Sequence, residues 1–219
     1  MKFQSLLRAL CVSVVNLLPL SAAGVALAPL ADTYVRQDGG NTGYGLQKTI
    51  RVGQAGIPGS LMRGLVAFDI SGIPAGAKVT SATLTLCQSA EDGIGDNSRM
   101  TVRLLPAALK VAEQGVTWNN SRQAEALPAN AKILAAGELW VRPAPRGVKL
   151  PSALALSSPE LAAHLQALRA AGAKRADFML VNASENAASK LRAFVEFASL
   201  NAGNAATAPS LQAVFEPAN

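Results

Sequence analysis

The chain has 219 residues, with 20 Lys and Arg against 14 Asp and Glu, a formal net charge of +6, and half of its residues are hydrophobic. This length is sufficient for one domain with a sizeable core. The basic residues are scattered along the chain, which argues against a nucleic-acid binder, because a dense basic patch is typical of that class.

Residues 1–23 have the features of a secretory signal peptide. A short basic start precedes the apolar run Ala9–Leu20, and Ser21-Ala22-Ala23 supplies the small residues that a signal peptidase recognises. We predict cleavage after Ala23, with Ala26 as the second choice, and hence a secreted or periplasmic protein without a membrane span. A retained anchor is the alternative, but the run is shorter than the ~20 apolar residues that a spanning helix needs.

Cleavage removes two basic residues and one cysteine, which lowers the net charge to +4 and leaves Cys87 as the remaining thiol. No intrachain disulfide can then form, so an exported domain must depend on its apolar core or on a bound metal ion. Because Cys87 ends the alternating stretch Ala82–Leu86, we predict a small packed residue rather than a nucleophile.

Residues 29–219 are predicted to form a single domain built mainly from strands. Alternating apolar residues bounded by turn formers predict strands at Asp32–Arg36, Thr49–Gly53, Leu61–Asp69, Lys78–Gln88, Arg99–Leu105, Ala176–Asn182, Arg192–Ser199 and Ser210–Glu216. Weaker strands are predicted at Val116–Trp118, Lys132–Leu134 and Gly147–Leu150. The proline-, glycine- and alanine-rich stretch Ala135–Leu156 is predicted to be a long connection.

One helix is predicted in the stretch that follows. Ser157 and Glu160 have the spacing of a capping box, and Gly172 lies just past the expected end. An apolar stripe follows at Leu161, Leu165 and Leu168. His164 lies beside the stripe and is predicted to be packed, because one histidine without further ligands makes no metal site.

Together these elements predict an all-β fold. Many short strands with one short covering helix indicate two antiparallel sheets packed face to face, a β-sandwich of the jelly-roll kind. The sequence contains no nucleophile elbow, no His-Glu-x-x-His motif and no phosphate loop. We therefore predict no catalytic residues and a protein that is not an enzyme.

The glycine-rich segment 31–53 is the most distinctive part of the chain. It alternates strand signals with a loop that contains four glycines and Asn41. Such a loop can present carbonyl, amide and carboxylate oxygens to a hard cation. Asp32 and Asn41 are the candidate ligands of a structural calcium ion, and a glycine-rich surface turn without a ligand is the alternative.

The same segment resembles the opening of DNRLRE-type domains, which include the carbohydrate-binding modules of family 96. The resemblance is carried by a set of short motifs that run in order through residues 31–215: Ala31-Asp32-Thr33-Tyr34-Val35, Asn41-Thr42-Gly43-Tyr44-Gly45, Ile50-Arg51-Val52-Gly53, Leu65–Ser71, Ile73–Ala77, Val79–Leu84, Gly115–Asn120, Val195–Ser199 and Pro209-Ser210-Leu211. It implies a jelly-roll sandwich that binds polysaccharides outside the cell, commonly acidic ones such as alginate.

If the chain binds such a glycan, aromatic stacking and arginine forks are the expected contacts. The stacking candidates are Tyr44 and Trp140, which are predicted to lie in loops, whereas Trp118 is predicted to be core. Arg51, Arg63 and Arg103 project away from their apolar neighbours or alternate with them, and are the candidates for binding carboxylates. They would form a basic stripe if their strands were adjacent; a solvated sheet face is the alternative. The alternative function is a structural or adhesive surface protein that uses the sandwich for protein–protein contact.

Overall fold

The computed structural model describes residues 22–93, 99–121, 127, 130–140 and 153–217. In these residues eleven strands and one α-helix follow one another as β1 (Ala23–Leu27), β2 (Pro29–Arg36), β3 (Thr49–Ala55), β4 (Leu61–Asp69), β5 (Lys78–Gly93), β6 (Arg99–Pro106), β7 (Ala135–Trp140), β8 (Ala153–Ser157), α1 (Pro159–Ala170), β9 (Arg175–Asn182), β10 (Arg192–Ala198) and β11 (Ser210–Glu216).

The strands pair antiparallel throughout the described part of the chain and form two layers. The first layer has the order β2–β4–β9–β6–β7. In the second layer, the long strand β5 pairs with β8, β10 and β11, while β3 pairs with β10 and β1 with β11. The layers join where β3 pairs with the first two residues of β4.

The apolar side chains of the two layers meet in one large core. A Cβ at Gly64 in the first layer would contact the side chains of Ile50 and Val52 in β3, and one at Gly137 would contact Leu154 and Leu156 in β8. The layers therefore approach closely at both glycines, and the predicted β-sandwich is confirmed.

A second, smaller core lies on the opposite face of the first layer. There the residues between β6 and β7 from 107 to 121, which we call the covering segment, pack side chains such as Val111 and Trp118 against alternate residues of β4 and β9. This explains why eight consecutive residues of β4, Leu61 to Phe68, are buried. Trp118 is 3% exposed, so its predicted place in the core is confirmed.

The single helix lies close to its predicted position but begins one residue later. Ser158, not Ser157, is the N-cap, and its Oγ accepts a hydrogen bond from the Leu161 N–H at 3.1 Å. Ser157 ends β8 instead, and its hydroxyl donates to the Ala82 carbonyl. Leu161 and Leu165 are buried and Leu168 is partly buried, as the stripe predicts.

The predictions for residues 116–156 differ most from the structure. Val116–Trp118 and Lys132–Leu134 are not strands, and the stretch predicted as one connection contains β7 and β8. The alternation of β7 is hidden in the sequence because Ala135 and Gly137 carry little hydrophobic signal, although both face the core side of the sheet. The predicted strand Gly147–Leu150 lies outside the described residues.

The first strand begins before the predicted domain limit. β1 pairs with β11 from Ala23 opposite Phe215 to Leu27 opposite Leu211. The sheet thus includes residues that precede position 29.

Candidate functional site

Two of the predicted binding residues lie on one sheet face. In β6, Met100, Val102 and Leu104 face the core, and the intervening residues therefore point outward. Across the β6–β7 pair, Arg99 is opposite Trp140, Thr101 opposite Glu138 and Arg103 opposite Ala136. We call these six residues the β6–β7 face. Trp140 was expected in a loop, but it is the last residue of β7.

An arginine stacks on the aromatic ring of this face. The Arg99 guanidinium carbon lies 4.9 Å from the Trp140 ring centroid, and its Nη1 lies 3.3 Å from Glu138 Oε2. Both charged side chains are more than half exposed, so their ion pair contributes at most about 1 kcal/mol. An incoming anion can therefore compete for the Arg99 guanidinium at little cost.

Arg103 supplies a second guanidinium on the same face. It is half-buried, and it has no hydrogen-bond or ion-pair partner within the residues that the structure describes. Ala136, its neighbour across the strand pair, is small and exposed. Arg103 and Arg99 are separated by four residues of extended chain, roughly 13 Å, a distance that a short oligosaccharide can span.

Tyr44 and Arg51 lie elsewhere, at the edge where β2 and β3 meet. The rings of Tyr44 and Tyr34 are stacked, with centroids 4.4 Å apart. The Arg51 guanidinium lies 5.7 Å from the rings of both Tyr34 and Phe194, and its Nε lies 2.8 Å from Glu196 Oε1. We call these five residues the tyrosine–arginine edge; one face of Tyr44 is covered and the charge of Arg51 is already paired.

Arg63 is buried under the covering segment. It is 2% exposed, and its guanidinium lies 5.1 Å from the Trp118 ring centroid. Its Nε donates to Glu185 Oε2 at 3.2 Å, and a second nitrogen contacts the other carboxylate oxygen. The described packing leaves no surface through which Arg63 could reach a polysaccharide.

The three arginines therefore do not form a basic stripe. β9 lies between β4 and β6 in the first layer, and Arg51 belongs to the second layer. Strand order depends on long-range pairing, and the sequence pattern of each strand alone does not encode it.

Asp32, a predicted metal ligand, has an unusual environment. It is 1% exposed; its Oδ2 accepts a hydrogen bond from the Leu200 N–H at 2.7 Å, and its Oδ1 has no hydrogen-bond partner among the described residues. Burial raises the pKa of the Asp32 carboxyl to about 6; the negative charge of Glu113 adds to this shift, and the Leu200 hydrogen bond opposes it.

Asn41, the other predicted ligand, is exposed and has a structural partner. Its Oδ1 accepts a hydrogen bond from Asn119 Nδ2 at 2.9 Å, and the Asn119 N–H donates to the Gly40 carbonyl at 3.0 Å. The glycine loop thus packs against the end of the covering segment. No group of three or more His, Cys, Asp and Glu side chains is placed to hold a metal in the described ranges.

Sequence reasoning did not identify Arg99 or Glu113. Arg99 could have been found from β6 itself, because it shares the outward alternation of Arg103. Glu113 lies in the irregular covering segment, where no periodicity indicates what it faces.

His164 and Cys87 carry no site in the described structure. The His164 ring packs edge-on against Phe178 with centroids 6.0 Å apart, and burial lowers its pKa. Cys87 is a half-buried free thiol.

A β-sandwich that carries an aromatic ring and guanidinium groups together on one sheet face has the features of a carbohydrate-binding module, a class of non-catalytic domain. The model of carbohydrate-binding module family 96 matches residues 23–142, more than half of the chain, and the chain belongs to this family. The matched range includes both Arg103 and Trp140. The search of curated proteins finds no match.

The family assignment confirms the resemblance to family 96 noted from the sequence. Within the described residues, no helix has the length and apolar character needed to cross a membrane.

Proposed function

We propose that this carbohydrate-binding module binds an acidic polysaccharide, such as alginate, through its β6–β7 face. The observation that carries the proposal is the position of Arg103, a guanidinium without a partner in the described residues, on the same sheet face as Trp140. A sugar ring can stack on the indole while its carboxylate pairs with a guanidinium, which matches a carboxylate in a bidentate geometry.

The charge of the face favours an anionic ligand. Arg99 and Arg103 outnumber Glu138, and the whole chain is also basic. The tyrosine–arginine edge is less suitable, because its one arginine, Arg51, is held in a less exposed ion pair with Glu196 than the pair of Arg99 with Glu138. The five residues of that edge also include no second guanidinium comparable to Arg103. Arg63 is not part of the proposed site, because it is buried against Glu185 and Trp118.

Affinity electrophoresis tests this proposal. The folded protein is run in native gels that contain alginate, pectate or a neutral glucan, beside the variant Arg103→Gln. We expect retardation in at least one acidic gel, little in the neutral gel, and weaker retardation for the variant. Unchanged mobility of the folded protein in every gel would contradict the proposal and favour the protein-contact function.

We propose further that the protein acts without catalysis. Membership of a carbohydrate-binding module family supports this, because such modules bind carbohydrate and do not cleave it. Incubation with uronate polymers should yield neither unsaturated products nor new reducing ends. Appearance of either, lost on denaturation of the protein, would contradict a purely binding role.

We also propose that the protein is exported and cleaved after Ala23. The basic start, apolar run and small residues of segment 1–23 support this. Cleavage after Ala23 would also retain four of the five β1 residues that pair with β11, whereas cleavage after Ala26 would remove most of them. N-terminal sequencing of the protein from the culture medium or periplasm should begin at Gly24; a retained Met1 would contradict export by this route.

A further inference from the structure

We propose that the Asp32 carboxylate, with the Glu113 side chain and nearby backbone carbonyl oxygens, binds one divalent cation, and that this ion is calcium. The proposed calcium site retains Asp32 from the sequence prediction and replaces Asn41 with Glu113. It goes beyond polysaccharide binding, because its role is to hold the loops of one edge of the sandwich together.

The starting observation is the unpartnered oxygen of Asp32. The residue is 1% exposed, and its Oδ1 has no hydrogen-bond partner in the described part of the chain. A buried polar atom is almost always satisfied in a native protein, and an ionised carboxylate is costly to bury unless it is paired. A cation beside Oδ1 would compensate this cost directly.

The other carboxylate oxygen is fixed in place. Oδ2 accepts the Leu200 N–H at 2.7 Å, which holds the carboxylate against the short 3₁₀ turn Leu200–Ala202. The Asp32 side chain cannot turn Oδ1 outward to solvent without breaking this bond. Oδ1 is therefore held in the buried position that the proposal requires.

A second carboxylate lies within electrostatic range. The negative charge of Glu113 acts on Asp32, although the two residues belong to β2 and to the covering segment. The backbone at Gly45 packs directly against the Glu113 backbone, so closely that a Cβ at Gly45 would overlap the Glu113 carbonyl. The Glu113 side chain is only partly buried, and its negative charge together with that of the buried Asp32 favours a cation near the Asp32 carboxylate.

Backbone carbonyls of the 45–48 loop are bound by the same short segment, residues 199–201, that binds Asp32. Asn201 Nδ2 donates to the Gly45 carbonyl at 2.8 Å, and Ser199 donates to the Gln47 and Lys48 carbonyls at 2.7 and 3.1 Å. Residues 199–201 thus contact both Asp32 and this loop. Each carbonyl oxygen has a second lone pair that remains available to a metal.

The chemical type of the proposed ligand atoms indicates that the ion is calcium. Two carboxylates with carbonyl oxygens and water form an all-oxygen set, which excludes the softer metals that prefer nitrogen or sulfur. Calcium accepts about six to eight oxygens in irregular arrangements, whereas magnesium demands near-octahedral geometry. Asn41 is omitted because its Oδ1 already accepts a hydrogen bond from Asn119.

The calcium site and the β6–β7 face are in different parts of the first layer. β2 and β6 are separated by β4 and β9. Loss of the ion is therefore expected to change stability and loop order more than the polysaccharide contacts, and the two proposals can fail independently.

The test is calcium binding by the full chain after removal of metal with a chelator, followed by isothermal titration and by melting with CaCl₂ or MgCl₂. The variants are Asp32→Asn and Glu113→Gln, with Asp38→Asn as a control, because Asp38 is an exposed carboxylate paired with Arg36. We expect one calcium ion per wild-type chain, and a rise in melting temperature of several degrees at roughly 100 times the dissociation constant.

The three variants test whether Asp32 and Glu113 are the calcium ligands. Asp32→Asn should abolish calcium binding and the melting shift, Glu113→Gln should weaken both at least tenfold, and Asp38→Asn should leave both unchanged. If Asp32→Asn does not fold, Glu113→Gln, whose side chain is only partly buried, carries the test. Absence of calcium binding by the folded wild type, or equal shifts in all variants, would overturn the proposal.

Discussion

The Arg99 guanidinium lies 4.9 Å from the ring centroid of Trp140, its direct partner across the β6–β7 pair. Because both residues are carried by paired strands, the register of the sheet holds the ring and the charge together before any ligand arrives. A preorganised platform of this kind lowers the entropy cost of binding.

Substitution of Trp140 should weaken polysaccharide binding. Trp140→Ala is expected to reduce affinity about tenfold, because an aromatic stacking contact contributes up to about 1.5 kcal/mol beyond burial. Trp140→Phe keeps a ring and should retain most of the affinity. Titration followed by intrinsic fluorescence or calorimetry measures both; equal affinities of the alanine variant and the wild type would remove Trp140 from the site.

Substitution of Arg103 should weaken polysaccharide binding because it removes a positive charge. Arg103→Gln is expected to weaken binding to an acidic polysaccharide about tenfold to 100-fold, since a hydrogen bond to a charged group contributes about 1.5–3 kcal/mol. The variant should also show a smaller dependence of affinity on salt. Lys78→Gln removes an exposed charge in the second layer and serves as the control. An identical loss in both variants would indicate a nonspecific charge effect.

Breaking the buried ion pair should destabilise the fold. Glu185→Gln leaves the Arg63 guanidinium, 2% exposed, without its carboxylate partner, and is expected to lower the free energy of unfolding by about 3 kcal/mol. Asp38→Asn breaks the more exposed Arg36 pair and should cost less than about 1 kcal/mol. Urea unfolding compares the two; similar costs would contradict the buried role of Arg63.

The stability of metal-free protein should depend on Asp32 and pH. Because the pKa of Asp32 is about 6 when folded and close to 3.8 when unfolded, the folded state binds the proton more tightly. The protonated Asp32 carboxyl therefore adds about 3 kcal/mol to the free energy of unfolding below about pH 4. This contribution is lost as the pH rises through about 6 and the folded protein loses the proton.

The difference in unfolding free energy between wild type and Asp32→Asn, measured in chelator from pH 4 to 8, isolates this contribution. Subtraction removes the opposing effect of His164, whose pKa is lowered by burial and which destabilises the fold on acidification. A difference that does not change with pH would show that Asp32 has an ordinary pKa.

The strand pattern was predictable where large apolar residues alternate. Leu61–Asp69 and Ser210–Glu216 have the predicted limits, because their side chains carry a strong hydrophobic signal. β7 was not found, because its core-facing positions include Ala135 and Gly137. Leu154 and Leu156 of the facing layer occupy the space that a side chain at position 137 would need. Glycine is therefore required there, and it leaves no hydrophobic signal in the sequence.

The sequence indicated which types of residue form the candidate site, but not which of these residues lie close together in the fold. Outward alternation correctly indicated that Arg103 leaves the core, and the same reasoning on β4 placed Arg63 at the surface. Arg63 does point away from the main core, but the covering segment buries that face as well. The irregular covering segment has no periodic pattern, so its position over β4 could not be derived from the sequence.

Chemical-shift mapping with an alginate oligosaccharide would locate the binding surface directly. We predict that the backbone amides of Thr101, Arg103 and Ala136 and the indole N–H of Trp140 shift on titration, while the loop Asn41–Gly45 does not. Shifts confined to that loop and to β3, with β6 and β7 unchanged, would contradict the proposed face and assign recognition to the tyrosine–arginine edge.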